Sequence, residues 1–166
     1  ISENCMKISN QQFLDYSTDK NIKTVIIAMT WWHEKLFNGK NFIDDPKHLI
    51  LGNSILSLIN RLKLKNKNVF LVGPIQVPLY ELPQNLSRLL KFNHINEKQL
   101  TNKLEVNKKI YDSNYQLVNS LLYKKLQKNY IQLDKIQCDF NKCYYSNEEG
   151  VYFADGSHIS KIGAKL

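Results

Sequence analysis

The chain of 166 residues has no apolar run long enough to cross a bilayer, so a spanning helix is excluded within it. It shows no signal peptide. It begins at Ile1 rather than at an initiator Met, and is therefore expected to be a processed protein or an excised domain, in which a missing leader says little. It has no internal repeat and no low-complexity tract. It also lacks a dense basic block. A net charge of +8 would favour anionic partners, yet its lysines and asparagines are scattered along the whole length, as an A/T-rich coding bias would leave them. No nucleic-acid-binding motif stands behind that charge, and no nucleic-acid partner is expected. Cysteine is sparse, at three residues. A metal site would want more Cys or His at matching spacing, so neither a metal nor a cofactor is expected.

What is present is an ordinary globular composition, 43% hydrophobic and 23% charged. The length fits a single domain, residues 1–166, with a real core. Residues 9–20 pattern as a helix with Phe13, Leu14 and Tyr16 as its apolar contacts. Lys23 to Met29 is a strand whose continuous run Val25, Ile26, Ile27, Ala28 suits burial on both faces of a parallel sheet. Trp31 and Trp32 come next, at the C-terminal end of that strand, where ligands of open α/β sheets bind. One is expected in the core and one in a substrate pocket. His33 and Glu34 are read as exposed polar groups. Asp45-Pro46 starts a helix, with Asp as its cap. Its apolar face is Leu49, Leu51, Ile55, Leu58, Ile59 and Leu62. Gly52-Asn-Ser54 mimics a Gly-Asp-Ser nucleophile motif, but it sits inside the helical pattern and is rejected as a nucleophile.

Asn68 to Gly73 forms the next strand, and Pro74, Pro78 and Pro83 mark loop after it. Asn96 with Gln99 caps a long helix in which Leu100, Leu104, Tyr111, Tyr115, Val118, Leu122 and Leu126 recur at helical spacing. Tyr130 to Leu133 is a short strand. Strands alternating with helices give an α/β fold, a three-layer sandwich on a mainly parallel sheet. Cys138 and Cys143 enclose a four-residue loop. A local disulfide is the simpler interpretation and implies an oxidising compartment; free thiols in a cytosolic protein are the alternative. Cys5 is left over, which suggests a partner outside these residues.

The most informative stretch is the last one, Tyr152-Phe-Ala-Asp-Gly-Ser-His-Ile-Ser-Lys-Ile-Gly-Ala-Lys-Leu166. It reads as a short strand, a tight polar turn and the start of a helix. Gly156 lets the turn bend, and Ser160 is placed to cap that helix. Asp155 and His158 are a carboxylate and an imidazole three residues apart, two members of a Ser-His-Asp triad. An isolated Asp-x-x-His is more often a capped turn bonded only to backbone. The surrounding frame is what favours chemistry.

That frame resembles the C-terminal catalytic block of the SGNH (GDSL-like) hydrolases, and more narrowly the SGNH domain fused to membrane acyltransferases of the acyltransferase-three family. The match comprises Cys138, Cys143, Tyr152, Phe153, Asp155, His158, Ile159, Ser160, Gly163 and Ala164, with Ile159 in place of the usual Leu. Weaker matches are Thr24-Val-Ile-Ile-Ala-Met-Thr-Trp-Trp32 and Val69-Phe-Leu-Val-Gly-Pro-Ile-Gln-Val-Pro78. Thr30 stands where the family often has a basic residue. The resemblance implies a flavodoxin-like SGNH fold with His158 as base and Asp155 as its orienter. It implies a Cys138–Cys143 disulfide and a position on the periplasmic or extracytoplasmic face of a bacterial inner membrane.

No Gly-Asp-Ser block is visible, so the chain is expected to be the C-terminal part of an SGNH domain whose nucleophile lies outside it. The implied function is O-acyl transfer, of acetyl above all, to a cell-surface glycan such as lipopolysaccharide or peptidoglycan. The implied partners are an acyl donor, a glycan acceptor and an N-terminal transmembrane acyltransferase domain. A secreted SGNH carbohydrate esterase or lipase-like hydrolase is the alternative enzyme. A non-catalytic glycan-binding module is the alternative of another class.

Overall fold

The computed structural model describes residues 3–29, 31, 34–37, 40–78, 91–92, 104–154 and 158–165, with residues 3–10 given by their backbone. The chain divides into two compact units. One comprises residues 1–73 with 117–131, the other residues 74–116 with 132–166.

The first unit holds the parallel sheet. β1 (Thr24–Ile27), β4 (Asn68–Val72) and β6 (Tyr130–Ile131) lie in the order β1-β4-β6, both pairings parallel. The β-branched run Thr-Val-Ile-Ile suits the pleat of β1, and Thr24 to Ile27 register with Asn68 to Leu71. This is the α/β class expected, but the place of β1 differs. Among the described residues it pairs on one side only, and its run is not buried on both faces: its residues alternate between exposed and half-buried, with Ile26 65% exposed. The strand with two neighbours is β4, where Val69 and Leu71 are shut from solvent. Buried Lys67 ties the start of the sheet together, its Nζ donating to Ile22 O at 2.7 Å and to Asp19 O.

The helix α1 (Glu3–Thr18) starts earlier than expected, and Cys5 falls within it. Leu14 and Tyr16 are exposed, and only Phe13 is half-buried, with the Arg61 guanidinium 5.3 Å above its ring. A hairpin of β2 (Lys35–Phe37) and β3 (Phe42–Asp44) leads to α2 (Leu49–Leu64). Glu34 is exposed; His33 lies outside the described residues. The helix begins three residues beyond Pro46, because His48 turns left-handed at φ 55°. Asp45 still caps it from a distance, accepting the N–H of Ile50 at 3.2 Å and of Leu51 at 2.8 Å. Gly52, Ile55, Ile59 and Leu62 are buried, while Leu49, the first helical residue, is exposed. Gly52 is needed for space, since a Cβ there would lie 2.8 Å from Val118 Cγ2.

The long helix expected from Asn96 onward is corrected. Asn96, Gln99 and Leu100 lie outside the described residues, and residues 105–107 are a strand. β5 (Glu105–Asn107) pairs antiparallel with β7 (Lys142–Tyr144), and helix α3 runs from Lys108 to Leu126. Its start signal is Asn107, whose Oδ1 accepts the Lys109 N–H at 2.9 Å. Tyr111, Tyr115, Val118, Leu122 and Leu126 do form a buried stripe on α3. Leu104, seven residues before Tyr111, shares the helical spacing by coincidence and packs elsewhere.

The rest of the second unit is short α4 (Asp134–Gln137), the hairpin β8 (Ser146–Asn147) with β9 (Gly150–Val151), and the terminal block. The proline segment 74–78 is loop, as expected, yet largely buried. Its backbone is satisfied by side chains: Gln76 N–H donates to Gln137 Oε1 at 2.8 Å, Gln137 Nε2 donates to Gln76 O at 2.6 Å, and Tyr111 Oη donates to Pro74 O at 3.1 Å. The core of this unit is Leu104, Tyr145, Tyr152 and Phe153, with Ile75, Val77 and Val151 against it.

Candidate active site

The terminal block folds back on itself. Ala154 N–H donates to His158 O at 2.7 Å, Ser160 N–H donates to Tyr152 O at 2.8 Å, and Phe153 bridges antiparallel to Ile159. Residues 152–154 and 158–160 therefore lie side by side as two short antiparallel pieces. One is anchored from beneath, since Tyr152 and Phe153 are both buried and Phe153 meets Tyr145 edge-on at 6.0 Å between centroids. Burial pushes the Tyr152 phenol above its ordinary range.

The other piece is fixed by Ser160 and Gly163. Ser160 Oγ donates to Val151 O at 2.5 Å and accepts the N–H groups of Ile162 at 3.2 Å and Gly163 at 3.1 Å. It thereby caps the single 3₁₀ turn Gly163–Lys165. Gly163 passes so close to the frame that a Cβ would sit 2.2 Å from Tyr152 O and 2.8 Å from Ile159 Cγ2. His158 is carried between these fixed points with its side chain exposed. Asp155, Gly156 and Ser157 lie outside the described residues, so of the expected pair the structure places His158 alone.

The other expected site residues are scattered. Trp31 is buried at 4% exposure, and its indole N–H donates to Val72 O at 3.3 Å, closing the C-terminal ends of β1 and β4. Trp32 lies outside the described residues. Ser54 lies on α2, its Oγ bonded to Ile50 O at 2.9 Å and Asn53 Nδ2 bonded to Leu49 O at 2.9 Å. Both side chains of the Gly-Asn-Ser segment are thus engaged with their own helix.

Cys138 and Cys143 are joined in a disulfide and bridge as antiparallel partners. The turn they close is pinned by Asp139, whose Oδ1 accepts the N–H groups of Asn141 and Lys142, both at 2.7 Å. Tyr144 Oη donates to the other Asp139 oxygen, and these bonds hold the Asp139 carboxyl below its usual range, the tyrosine's first among them. Beside this turn lies a groove lined by Asp134, Lys135, Phe140 and the start of α3. The sequence points to a disulfide at this loop but not to a groove beside it. The signal that was there is Phe140, a large apolar residue in the middle of an otherwise polar four-residue turn between two cysteines.

The family model for the SGNH domain (fused to AT3 domains) matches residues 2–166. No curated protein and no solved structure matches the chain.

Proposed function

Because the chain belongs to the family of SGNH domains fused to AT3 domains, we propose that it supplies the base and its orienter for O-acyl transfer to a cell-surface glycan. Membership places the chain with esterases and acyltransferases in a membrane-protein context, although no described helix is long and apolar enough to cross a membrane. The observation that carries the finer assignment is the exposed His158, set in a loop whose two flanks are locked by Tyr152, Phe153, Ser160 and Gly163. A general base has to be held still and reach outward, and this frame supports both.

The nucleophile would be a Ser from outside these residues. His158 takes its hydroxyl proton as the oxygen attacks the acyl carbonyl. The tetrahedral intermediate collapses, His158 returns the proton to the leaving group, and the acyl group rests on Ser. A sugar hydroxyl then gives its proton to His158 and attacks the acyl-enzyme, and as the O-acyl ester forms His158 passes that proton to the departing Ser oxygen, restoring both groups. Asp155 holds the imidazole in the tautomer that can accept from Ser and stabilises its charged form. With water as acceptor the same steps give hydrolysis. Trp31 is committed to packing, which leaves Trp32 as the candidate for the substrate pocket. Acetyl is the proposed acyl group, lipopolysaccharide or peptidoglycan the acceptor, and the extracytoplasmic face of the inner membrane the place. The Cys138–Cys143 disulfide supports an oxidising compartment.

The test is acetate or p-nitrophenol release from an acetyl ester by the full-length protein. His158→Ala should abolish turnover at matched folded concentration. Asp155→Asn should be damaging, the equivalent change in a serine-protease triad costing about 10⁴ in kcat. Ser54→Ala should match wild type. Full activity in His158→Ala refutes the assignment.

A further inference from the structure

The second unit carries a groove of about 1250 Å³ that this chemistry does not use. Its walls come from β5, the start of α3, α4 and the disulfide-closed turn. Its charges cancel. Lys108 Nζ meets Asp112 Oδ1 at 2.6 Å, and Lys142 pairs with Glu105. Asp134 and Asp139 are matched in number by Lys109 and Lys135. Such a lining has no net field to concentrate an anion or a cation. It offers carboxylate acceptors beside ammonium and amide donors, so it suits a ligand that both donates and accepts without net charge. Asp134 lines the groove, and its Oδ1 is buried with no hydrogen-bond partner among the described residues.

Phe140 supplies the apolar contact. Its side chain is 96% exposed, which forgoes the burial a Phe ordinarily gains. An exposed Phe on a loose loop would mean little. This one stands on a turn closed by a disulfide and by the Asp139 hydrogen bonds, so its backbone is already ordered and less ordering is left to be done on binding. A flat aromatic face beside balanced donors and acceptors fits a sugar, which has C–H faces and hydroxyl edges. The volume exceeds the roughly 300–1,000 Å³ of a pocket for a drug-sized molecule, so more than one ring would fit.

We propose that this groove is a saccharide subsite. It would hold a neutral stretch of glycan with one sugar face on Phe140 and hydroxyls on Asp134, Lys109 and Lys135. It would be the place where the acceptor chain docks. In that purpose it rests on the acyl-transfer proposal, but its binding test does not.

The test is titration of the chain with chitotetraose, maltotetraose and a neutral O-polysaccharide, monitored by amide chemical shifts, with inorganic phosphate as the anionic control. At least one saccharide should shift amides within residues 105–112 and 134–142 at millimolar concentration. Phe140→Ala should weaken it roughly three- to tenfold, in line with the loss of one stacking contact, and Phe140→Trp should restore it. Asp134→Asn should weaken it independently. The proposal is overturned if no saccharide shifts these amides, if Phe140→Ala binds as wild type does, or if phosphate occupies the groove instead. In the full-length protein, Phe140→Ala should raise KM for a glycan acceptor and leave p-nitrophenyl acetate hydrolysis unchanged. An active His158→Ala variant with saccharide binding intact would remove the acyl-transfer chemistry and leave the groove standing.

Discussion

Replacing Gly163 by Ala is the sharpest probe of the frame around His158, because two effects of opposite sign compete. Gly163 does not adopt a left-handed φ; among the described glycines only Gly150 does. An alanine could therefore take up its backbone conformation. On that ground alone the change should stabilise by about 0.4–1 kcal/mol, through the smaller entropy of the unfolded chain. The contact outweighs this. The added methyl would lie 2.2 Å from the carbonyl oxygen of Tyr152 and 3.0 Å from its carbon. Tyr152 cannot retreat freely, since it is buried and its N–H is bonded to Tyr145 O at 2.7 Å. Overpacking of this kind costs about 1–3 kcal/mol. The net loss should reach roughly 1–2 kcal/mol, and a chain of this length should lose about 2–4 °C in Tm per kcal/mol. The assay is thermal unfolding of wild type and Gly163→Ala, with Ala164→Gly as a control at the exposed neighbouring position. Since the displaced carbonyl also accepts from Ser160, turnover should fall in the same variant with the catalytic groups intact. An unchanged or raised Tm would refute the close packing of residues 152 and 163 and the rigid presentation of His158 built on it.

Three further outcomes can be measured directly. Asp45→Ala should cost about 0.5–2 kcal/mol in denaturant unfolding, because it removes the acceptor for two N–H groups at the start of α2; no loss would mean that the cap is idle. Thiol titration of unreduced protein should find at most one thiol per chain, and reduction of the bridge, whose cysteines are 5 residues apart, should lower stability by about 2 kcal/mol on the chain-entropy model. Asp134 is held above its ordinary 3.8 chiefly by burial, with Lys108 opposing. A carboxyl with a raised folded pKa contributes fully below the unfolded value and loses that contribution as pH rises through the folded one. Asp134→Asn should therefore be more stable than wild type at neutral pH and gain nothing below pH 3.8; an equal gain at both pH values would remove the electrostatic cause.

The elements legible in the sequence were those whose local preference and tertiary role agree. β4 is apolar because it is covered, and the stripe from Tyr111 to Leu126 is periodic because α3 buries it. The errors fall where one pattern serves two structures. Leu104 sits at helical distance from Tyr111 and belongs to another core. β1 has the composition of a doubly covered strand but leaves one face exposed, with Ile26 on it. α2 starts three residues later than Asp45-Pro46 suggests, because His48 inserts a left-handed turn, and Asp45 caps it across that turn. Asp134 gave no local signal, since its surroundings are made by β5 and α3, distant in sequence.

The terminal block was readable for a different reason. Most of its identifiable residues hold the frame rather than do the chemistry. Tyr152 and Phe153 are core, Ser160 is a cap, and Gly163 is a space that nothing larger fills. Their types are therefore fixed by packing and hydrogen bonding, which a sequence pattern records well. His158 differs from all of them in being exposed while its flanks are fixed. Burial does not determine an imidazole at that position, and the backbone bond it provides to Ala154 would be made by any residue. An exposed imidazole between fixed flanks is what the proposed proton carrier requires.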